Sequence, residues 1–289
     1  MANPLDSVAW IHGAPNCGLG TDPFLQTHQF DDDTYVFRQS KCFTFEGPFQ
    51  YLLFGNSQVI LFDTGGPPGP PLGRVLPIRK TVDEIIARWL ARTGRSSVKL
   101  VVAHTHGHGD HSFGDSQFVG RPNTTIIKPD LAPVKRFFGL RNWPNGQAIF
   151  DLGGRQLTIL PIPGHQDPDP TLDSHIAVYD SHTQWLLTGD SLYAGMLVVR
   201  NWAAYRESIR RLDAFAATHT VLQVLGCHIE MKRAARELYP IGTTFQPDEH
   251  ALPLTRAHLR ELAVTLASLP TPPRVDVIRD DFIIHFLRG

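Results

Sequence analysis

Apolar residues fall in short blocks along the first part of the chain. Tyr35-Val-Phe-Arg, Cys42-Phe-Thr-Phe, Gln50-Tyr-Leu-Leu-Phe and Gln58-Val-Ile-Leu-Phe are β-branched and aromatic runs, broken by the turn signals Gly47-Pro and Gly55-Asn-Ser. The pattern predicts an antiparallel meander ending at Asp63-Thr-Gly-Gly. The next stretch, Pro67-Pro-Gly-Pro-Pro-Leu-Gly, is too rich in proline and glycine for a regular element. From Thr81 the period changes: Val82, Ile85, Ile86, Trp89 and Leu90 share one helical face, and Gly94 marks the end. A strand over residues 98–103 follows.

The second half repeats the theme. Strands are expected over residues 124–128, 156–162, 175–179, 184–188 and 221–225. A short helix behind Asp130 carries Val134, Phe137 and Phe138, and a longer one over residues 202–218 puts Tyr205, Ile209, Leu212 and Phe215 on its core side. Helices over 229–238 and 254–269 and a closing hairpin around Asp280-Asp281 complete the chain. Two halves of strands followed by a helix, with no separating linker, predict one domain over residues 33–289. Residues 1–32 lack periodicity and read as an N-terminal arm, which invites packing on a second copy as a homodimer.

Composition narrows the partners. The 289 residues carry 27 basic and 28 acidic side chains, a net charge of −1 without a basic run, which argues against nucleic acid. No apolar stretch approaches the roughly 18 residues of a membrane span, and the N-terminus shows no secretory pattern. The three cysteines are too sparse for a disulfide framework. A reduced, cytoplasmic setting and a small-molecule substrate are the expectation.

Candidate chemistry is concentrated in Val101-Val-Ala-His-Thr-His-Gly-His-Gly-Asp-His. Imidazole nitrogens and carboxylate oxygens are the ligands of zinc and its first-row neighbours. Gly107 and Gly109 are expected to let the backbone turn so that alternate side chains converge. Three later strands each end in one metal-competent residue: Pro-Gly-His165, Thr-Gly-Asp190 and Gly-Cys-His228.

This order, His-x-His-x-Asp-His and then Pro-Gly-His, Thr-Gly-Asp and Gly-x-His, resembles the metallo-β-lactamase superfamily of hydrolases. The resemblance implies an α/β architecture, an αββα sandwich of two mixed β-sheets flanked by helices, with two divalent metal ions at one edge. It implies His106, His108 and His165 for the first metal, Asp110, His111 and His228 for the second, and Asp190 bridging them. Zinc is the expected metal, with iron or manganese as alternatives. Two such ions sharing a water supply hydroxide near neutral pH. The expected activity is therefore a dinuclear metal-dependent hydrolase, using a bridging hydroxide on a small ester, lactone, thioester or related acyl substrate.

Phosphodiester or phosphotriester cleavage is open to the same hydroxide. An oxidoreductase resembling the mononuclear iron persulfide dioxygenases is the rival from another class. The true β-lactamases of the superfamily generally place Cys or Ser where this chain has Asp190. A bridging Asp resembles instead the glyoxalase II, lactonase and phosphodiesterase branches.

Individual residues carry further expectations. Asp110 has a free oxygen that could orient water or shuttle a proton. Tyr193, three residues after Asp190, resembles a phenol that binds the carbonyl oxygen in acyl-homoserine lactonases, with packing beneath the site as its alternative role. His104 is expected to be structural, Asp63 to brace the metal loop from behind, and Cys227 to be a small buried residue. His175, His182, Asp167, Asp169 and Asp173 are expected at the surface, and His250 lies on a loop that could reach the pocket. Phe113, Phe137, Phe138, Trp143 and Met196 are candidates for an apolar pocket wall. Glyoxalase II enzymes bind glutathione through basic residues, and Lys232, Arg233 and Arg236 are available, though a solvated helix face explains them as well. With no cationic cluster in the sequence, a neutral or weakly charged substrate is expected.

Overall fold

Strands β2 (Thr34–Gln39) and β3 (Phe49–Phe54) have every residue buried. Strands covered on both faces need a packed layer on each side, and the computed structural model, which describes residues 4–69 and 73–288, supplies them. Residues 70–72, within the proline-rich loop, lie outside the described residues, as do 1–3 and 289.

One mixed sheet runs in the order β1 (Leu25–Asp31), β2, β3, β4 (Gln58–Phe62), β5 (Lys99–Ala103), β6 (Thr124–Ile126). It is antiparallel up to β4 and parallel from β4 to β6. Helix α1 (Ile78–Thr93) precedes β5, the one-turn α2 (Gly109–Ser112) follows it, and α3 (Leu131–Phe138) follows β6. The second mixed sheet uses β7 (Ala148–Asp151), β8 (Gln156–Pro161), β9 (Ile176–Asp180) and β10 (Trp185–Gly189). After β11 (Met196–Val199) and α4 (Trp202–Thr218) it is completed by β12 (Gln223–Gly226) and β13 (Pro253–Leu254). Helix α5 (Arg256–Ala267) follows. Strands β14 (Val277–Ile278) and β15 (Ile283–Phe286) form the expected closing hairpin and join β11 in a small third sheet.

Side-chain alternation sorts the core into three slabs. Val36, Tyr51, Ile60 and Val101 face Ile159, Val178, Trp185 and Leu225 between the two sheets. Leu52, Leu61 and Val102 pack on Val82, Ile85 and Trp89 of α1. Ala177, Leu186 and Val224 pack on Ile209 and Leu212 of α4 and on Leu259 and Leu262 of α5. The result is the α/β/β/α sandwich expected from the sequence. Local chemistry sets the helix ends. Gly94, at φ 68°, closes α1 with its N–H on the Leu90 carbonyl. The Asn201 side chain caps α4, and Thr255 and His258 form a reciprocal cap on α5. Asp130 precedes α3 but makes no side-chain cap bond.

Several expectations fail for identifiable reasons. Residues 25–31 form the edge strand β1 rather than part of an arm. Leu5 and Trp10 are buried in the slab between the sheets, with Trp10 edge-on to Phe49. Both are satisfied within their own chain. Cys42-Phe-Thr-Phe is not a strand: Phe43 N–H donates to the Ser40 carbonyl and Gly47 N–H to that of Thr44, closing turns. Cys17 and Cys42 are joined as a disulfide, against the expectation that the cysteines stay reduced, because the N-terminal segment folds across the 40–47 loop. Residues 229–238 are not helical. Ile229 and Met231 are both buried, a period of two, and Met231 bridges Leu238 while Lys232 bridges Glu249. Among the described residues, no helix is long and apolar enough to cross a membrane.

Candidate metal centre

Four strands deliver side chains from their C-terminal ends to one edge of the sandwich. Beyond β5 come His104, His106 and His108, and α2 then carries Asp110 and His111. His165 follows β8, Asp190 follows β10 and His228 follows β12. Glycine is required at two of these exits. Gly164 has φ 130°, and a Cβ there would stand 2.4 Å from the Tyr205 amide nitrogen. Gly189 has φ 52°, and its Cβ would meet His175 Nε2 at 2.5 Å. Gly107 and Gly109, expected to supply the turn, have no left-handed φ. The turn is made by entry into α2. Gly107 is needed for space, since a Cβ would lie 3.0 Å from the Pro129 carbonyl oxygen.

The seven expected ligands converge in two groups that share Asp190. One holds His106, His108, His165 and Asp190, and the other Asp110, His111, Asp190 and His228. Within each group the nearest ligand atoms lie within 4.8 Å of one another. Asp190 Oδ2 is 3.6 Å from His106 Nε2 and 3.5 Å from His165 Nε2, and its Oδ1 is 3.4 Å from His228 Nε2.

The outward nitrogens of the five imidazoles explain why this is a cation site. His111 Nδ1 donates to Asp63 Oδ2 at 3.0 Å, His165 Nδ1 to the Val198 carbonyl at 2.7 Å and His228 Nδ1 to the Glu46 carbonyl at 3.1 Å. His108 Nε2 donates to the Gln166 carbonyl at 3.1 Å. Thr105 Oγ1 spends its own proton on Asp63, so it accepts from His106 Nδ1 at 3.2 Å. These acceptors have no proton to offer. Each ring must therefore carry its hydrogen on the outside, and the inner nitrogen is left with a lone pair aimed at its neighbours. His108 Nδ1 stands 3.0 Å from His106 Nε2 and 3.2 Å from His165 Nε2, a repulsive arrangement unless a cation lies among them. His111 Nε2 and Asp190 Oδ1 are buried with no hydrogen-bond partner.

Electrostatics agree. Without a metal, burial opposes ionisation of Asp190 and Asp110. His228, His111 and His106 outweigh it at Asp190, and His111 and His228 at Asp110, holding both carboxyls well below the usual range. Burial disfavours a charged His111 or His228, but the facing aspartates raise both above ordinary histidine, so positive charge is favoured where these rings meet Asp110 and Asp190. Burial pushes His106 well down and His165 down to about 4, leaving their lone pairs available.

Asp63 is the brace expected behind the loop. It is fully buried at φ 68°, a region that non-glycine residues seldom occupy. Its Oδ1 accepts from Thr105 N–H at 2.8 Å, and its Oδ2 from Thr105 Oγ1 at 2.9 Å and His111 Nδ1. Asp63→Asn presents an amide N–H₂ that cannot accept from His111. Metal affinity should fall by about 10- to 100-fold in chelator competition, and an unchanged affinity would remove Asp63 from this role.

Other residues sort as follows. His104 is structural, with ring nitrogens on the Ile127 carbonyl and Asp115. Cys227 is a buried free thiol against Asp63. His182 pairs with Asp31 at the surface. His175 is not a surface residue: it is fully buried, with both ring nitrogens unpartnered, and stacks on His106 at 4.6 Å. Asp173 is also buried, accepting from the amides of Gly164, Gln166 and His175 and so fixing the His165 loop. Asp169 is exposed, as expected, and Asp167 partly so. His250 faces Asp281 beside a different cavity. Strand alternation at the start of β9 was the one sequence signal that could have turned His175 inward.

A cavity of about 220 Å³ opens onto the cluster. Its walls include Tyr193, Met196, Arg200, Glu46, Glu230 and residues 238–242. Of the five apolar wall candidates only Met196 is there. Phe137, Phe138 and Trp143 belong to the core, and Phe113 is solvent-exposed. Tyr193 packs edge-on to His228, but its hydroxyl donates to the Met196 carbonyl at 2.7 Å. Lys232 pairs with Glu237, Arg233 bonds the Glu249 carbonyl and Arg236 pairs with Asp280, and none of the three lines this cavity.

A sandwich with a His/Asp cluster at the strand ends is the architecture of a metal-dependent hydrolase family. The chain belongs to it: the metallo-beta-lactamase superfamily matches residues 44–228. Over 115 residues it is 30% identical to a hydroxyacylglutathione hydrolase of Synechococcus sp., covering 40% of this chain and 42% of that protein. A hydroxyacylglutathione hydrolase of Idiomarina loihiensis is 29% identical over 110 residues, covering 38% of each. The matches thus span about two fifths of these relatives' length. A solved metallo-beta-lactamase from Pontibacter korlensis superposes with a TM-score of 0.51 at 17% identity, over 85% of this chain and 100% of that one. One from Hirschia baltica gives 0.52 at 16%, over 84% and 97%. At such identities the likeness is one of fold.

Proposed function

We propose that this protein is a dinuclear metal-dependent hydrolase of a small ester, lactone or thioester. The observation that carries the proposal is the set of five imidazoles, each with its outer proton pinned and its inner lone pair aimed into two groups joined by Asp190. His106, His108 and His165 would hold one divalent ion and Asp110, His111 and His228 the other, with Asp190 between them. Zinc suits these N/O donors. Such ions lower the pKa of water towards neutrality and polarise an acyl oxygen.

The chain's own residues do the rest. Asp63, Val198, Glu46 and Gln166 fix the rings. Asp110 lines the cavity and lies close enough to the cluster to orient water and pass a proton to the leaving group. Tyr193 shapes the wall beside His228. Turning its hydroxyl from Met196 to a substrate oxygen would give it the carbonyl-binding role its position suggests. A glutathione thioester draws support from the curated relatives but not from Lys232, Arg233 or Arg236, which are committed elsewhere. For cellular setting, the Cys17–Cys42 disulfide favours an oxidising compartment over the cytoplasm first expected.

The test is metal analysis of the purified protein together with a hydrolysis panel of lactones, aryl esters, glutathione thioesters, phosphodiesters, phosphotriesters and β-lactams. Two divalent ions per chain and turnover confined to acyl substrates are expected. One iron per chain with oxygen consumption would overturn the reading, and cleavage of phosphoesters alone would replace its substrate class.

A further inference from the structure

We infer that Arg200 anchors a carboxylate on the substrate, so that the site selects small anionic acyl compounds. This rests on the hydrolase reading and reverses the expectation of a neutral substrate. Arg200 follows β11 directly. Its amide and that of Asn201 both donate to the Gly164 carbonyl at 2.9 Å, while the Val198 carbonyl holds His165. The segment bearing Arg200 is therefore fastened to the loop that bears a metal-ligand candidate, and its side chain lines the cavity with His108 and His165.

The guanidinium is unspent. Arg200 Nε is shielded from water and has no hydrogen-bond partner, and among the described residues the side chain makes no ion pair. A planar guanidinium fork matches a carboxylate through two parallel hydrogen bonds, which a lysine ammonium cannot reproduce. Two of the other charged groups of the wall, Lys41 and Glu230, have protein partners, and Glu46 also lines it. Lys41 Nζ donates to the Phe45 carbonyl at 3.1 Å and faces Glu249, and Glu230 Oε2 accepts from the Met196 amide at 2.8 Å. A cavity of about 220 Å³ falls below the roughly 300–1,000 Å³ of pockets for drug-sized ligands, which suits a short acyl chain with one terminal charge.

The test compares phenyl butyrate with monophenyl succinate, which differ in one terminal carboxylate. The metal-quantified wild-type protein should favour the succinate ester by roughly 10- to 100-fold in kcat/KM, mainly through KM. In Arg200→Gln the ratio should collapse towards one with metal content unchanged, and Arg200→Lys should restore part of it. Calorimetry supplies a readout without turnover: succinate should bind the wild type more tightly than butyrate does, and bind Arg200→Gln no better than butyrate. Equal handling of both esters by the wild type, or loss of metal in Arg200→Gln, overturns the inference and leaves the hydrolase reading intact. If neither ester is cleaved by metal-loaded protein, that reading fails for these esters, and calorimetry alone decides Arg200.

Discussion

Asp190→Ala will abolish hydrolysis, with kcat/KM falling by at least about 10³-fold, equivalent to the several kcal/mol a paired metal site contributes. The reason is geometric. Asp190 belongs to both ligand groups, with Oδ2 turned towards His106 and His165 and Oδ1 towards His228. No other side chain belongs to both of these groups. Its loss would remove one candidate ligand from each group and the negative charge that would offset two cations held close together. Metal analysis should show fewer ions per chain, and chelator competition a weaker hold on those that remain. The fold itself should survive, because Asp190 bonds to no core element and its Oδ1 is unpartnered. Wild-type turnover with full metal content in Asp190→Ala would refute the shared-ligand arrangement.

Arg155→Ala should have the largest effect on stability, about 3–5 kcal/mol, while kcat of the surviving folded protein stays at the wild-type value. Arg155 is buried between the sheets, at the end of the sandwich away from Asp190. Its Nε donates to Asp180 Oδ1 at 3.0 Å, and its Nη2 pairs with Asp180 Oδ2. The same guanidinium reaches the carbonyls of Asp33 at 2.8 Å and Phe54 at 3.2 Å and Thr34 Oγ1 at 3.0 Å, in the other sheet. Truncation strands a buried carboxylate and takes one donor from each of two carbonyls, of which that of Asp33 keeps the Phe54 amide at 2.9 Å. Denaturant unfolding measures the loss. An Arg155→Met, Asp180→Leu double variant, which removes the stranded charge, should recover much of it. A loss below about 1 kcal/mol in Arg155→Ala would mean that water replaces these bonds.

The convergence of the seven candidate ligands was legible because it depends on local spacing. A strand that runs directly into a metal-competent residue, as before His106, His165, Asp190 and His228, puts that side chain at the strand's C-terminal edge whatever the rest of the fold does, and four such strands specify one site. The helices over 81–92 and 202–218 were legible for the same reason, since an apolar face repeats within a few turns. Residues 229–238 were misread because Ile229 and Met231 are held by pairing with distant chain, including Lys232 with Glu249. Cys42-Phe-Thr-Phe has strand composition, but its hydrogen bonds close turns. Gly107 and Gly109 were credited with a conformation that only Gly164 and Gly189 adopt among the exits.

The sequence by itself determined the αββα class and the seven side chains that meet at its edge, because alternation and strand-end motifs are properties of neighbouring residues. Tertiary structure alone decided the rest. It turned His175 and Asp173 inward, joined Cys17 to Cys42, occupied Lys232, Arg233 and Arg236 elsewhere, and left Arg200 unpaired beside His165. Each of these depends on what a side chain meets across the fold, and charge pairing and burial between distant segments leave no mark on local spacing.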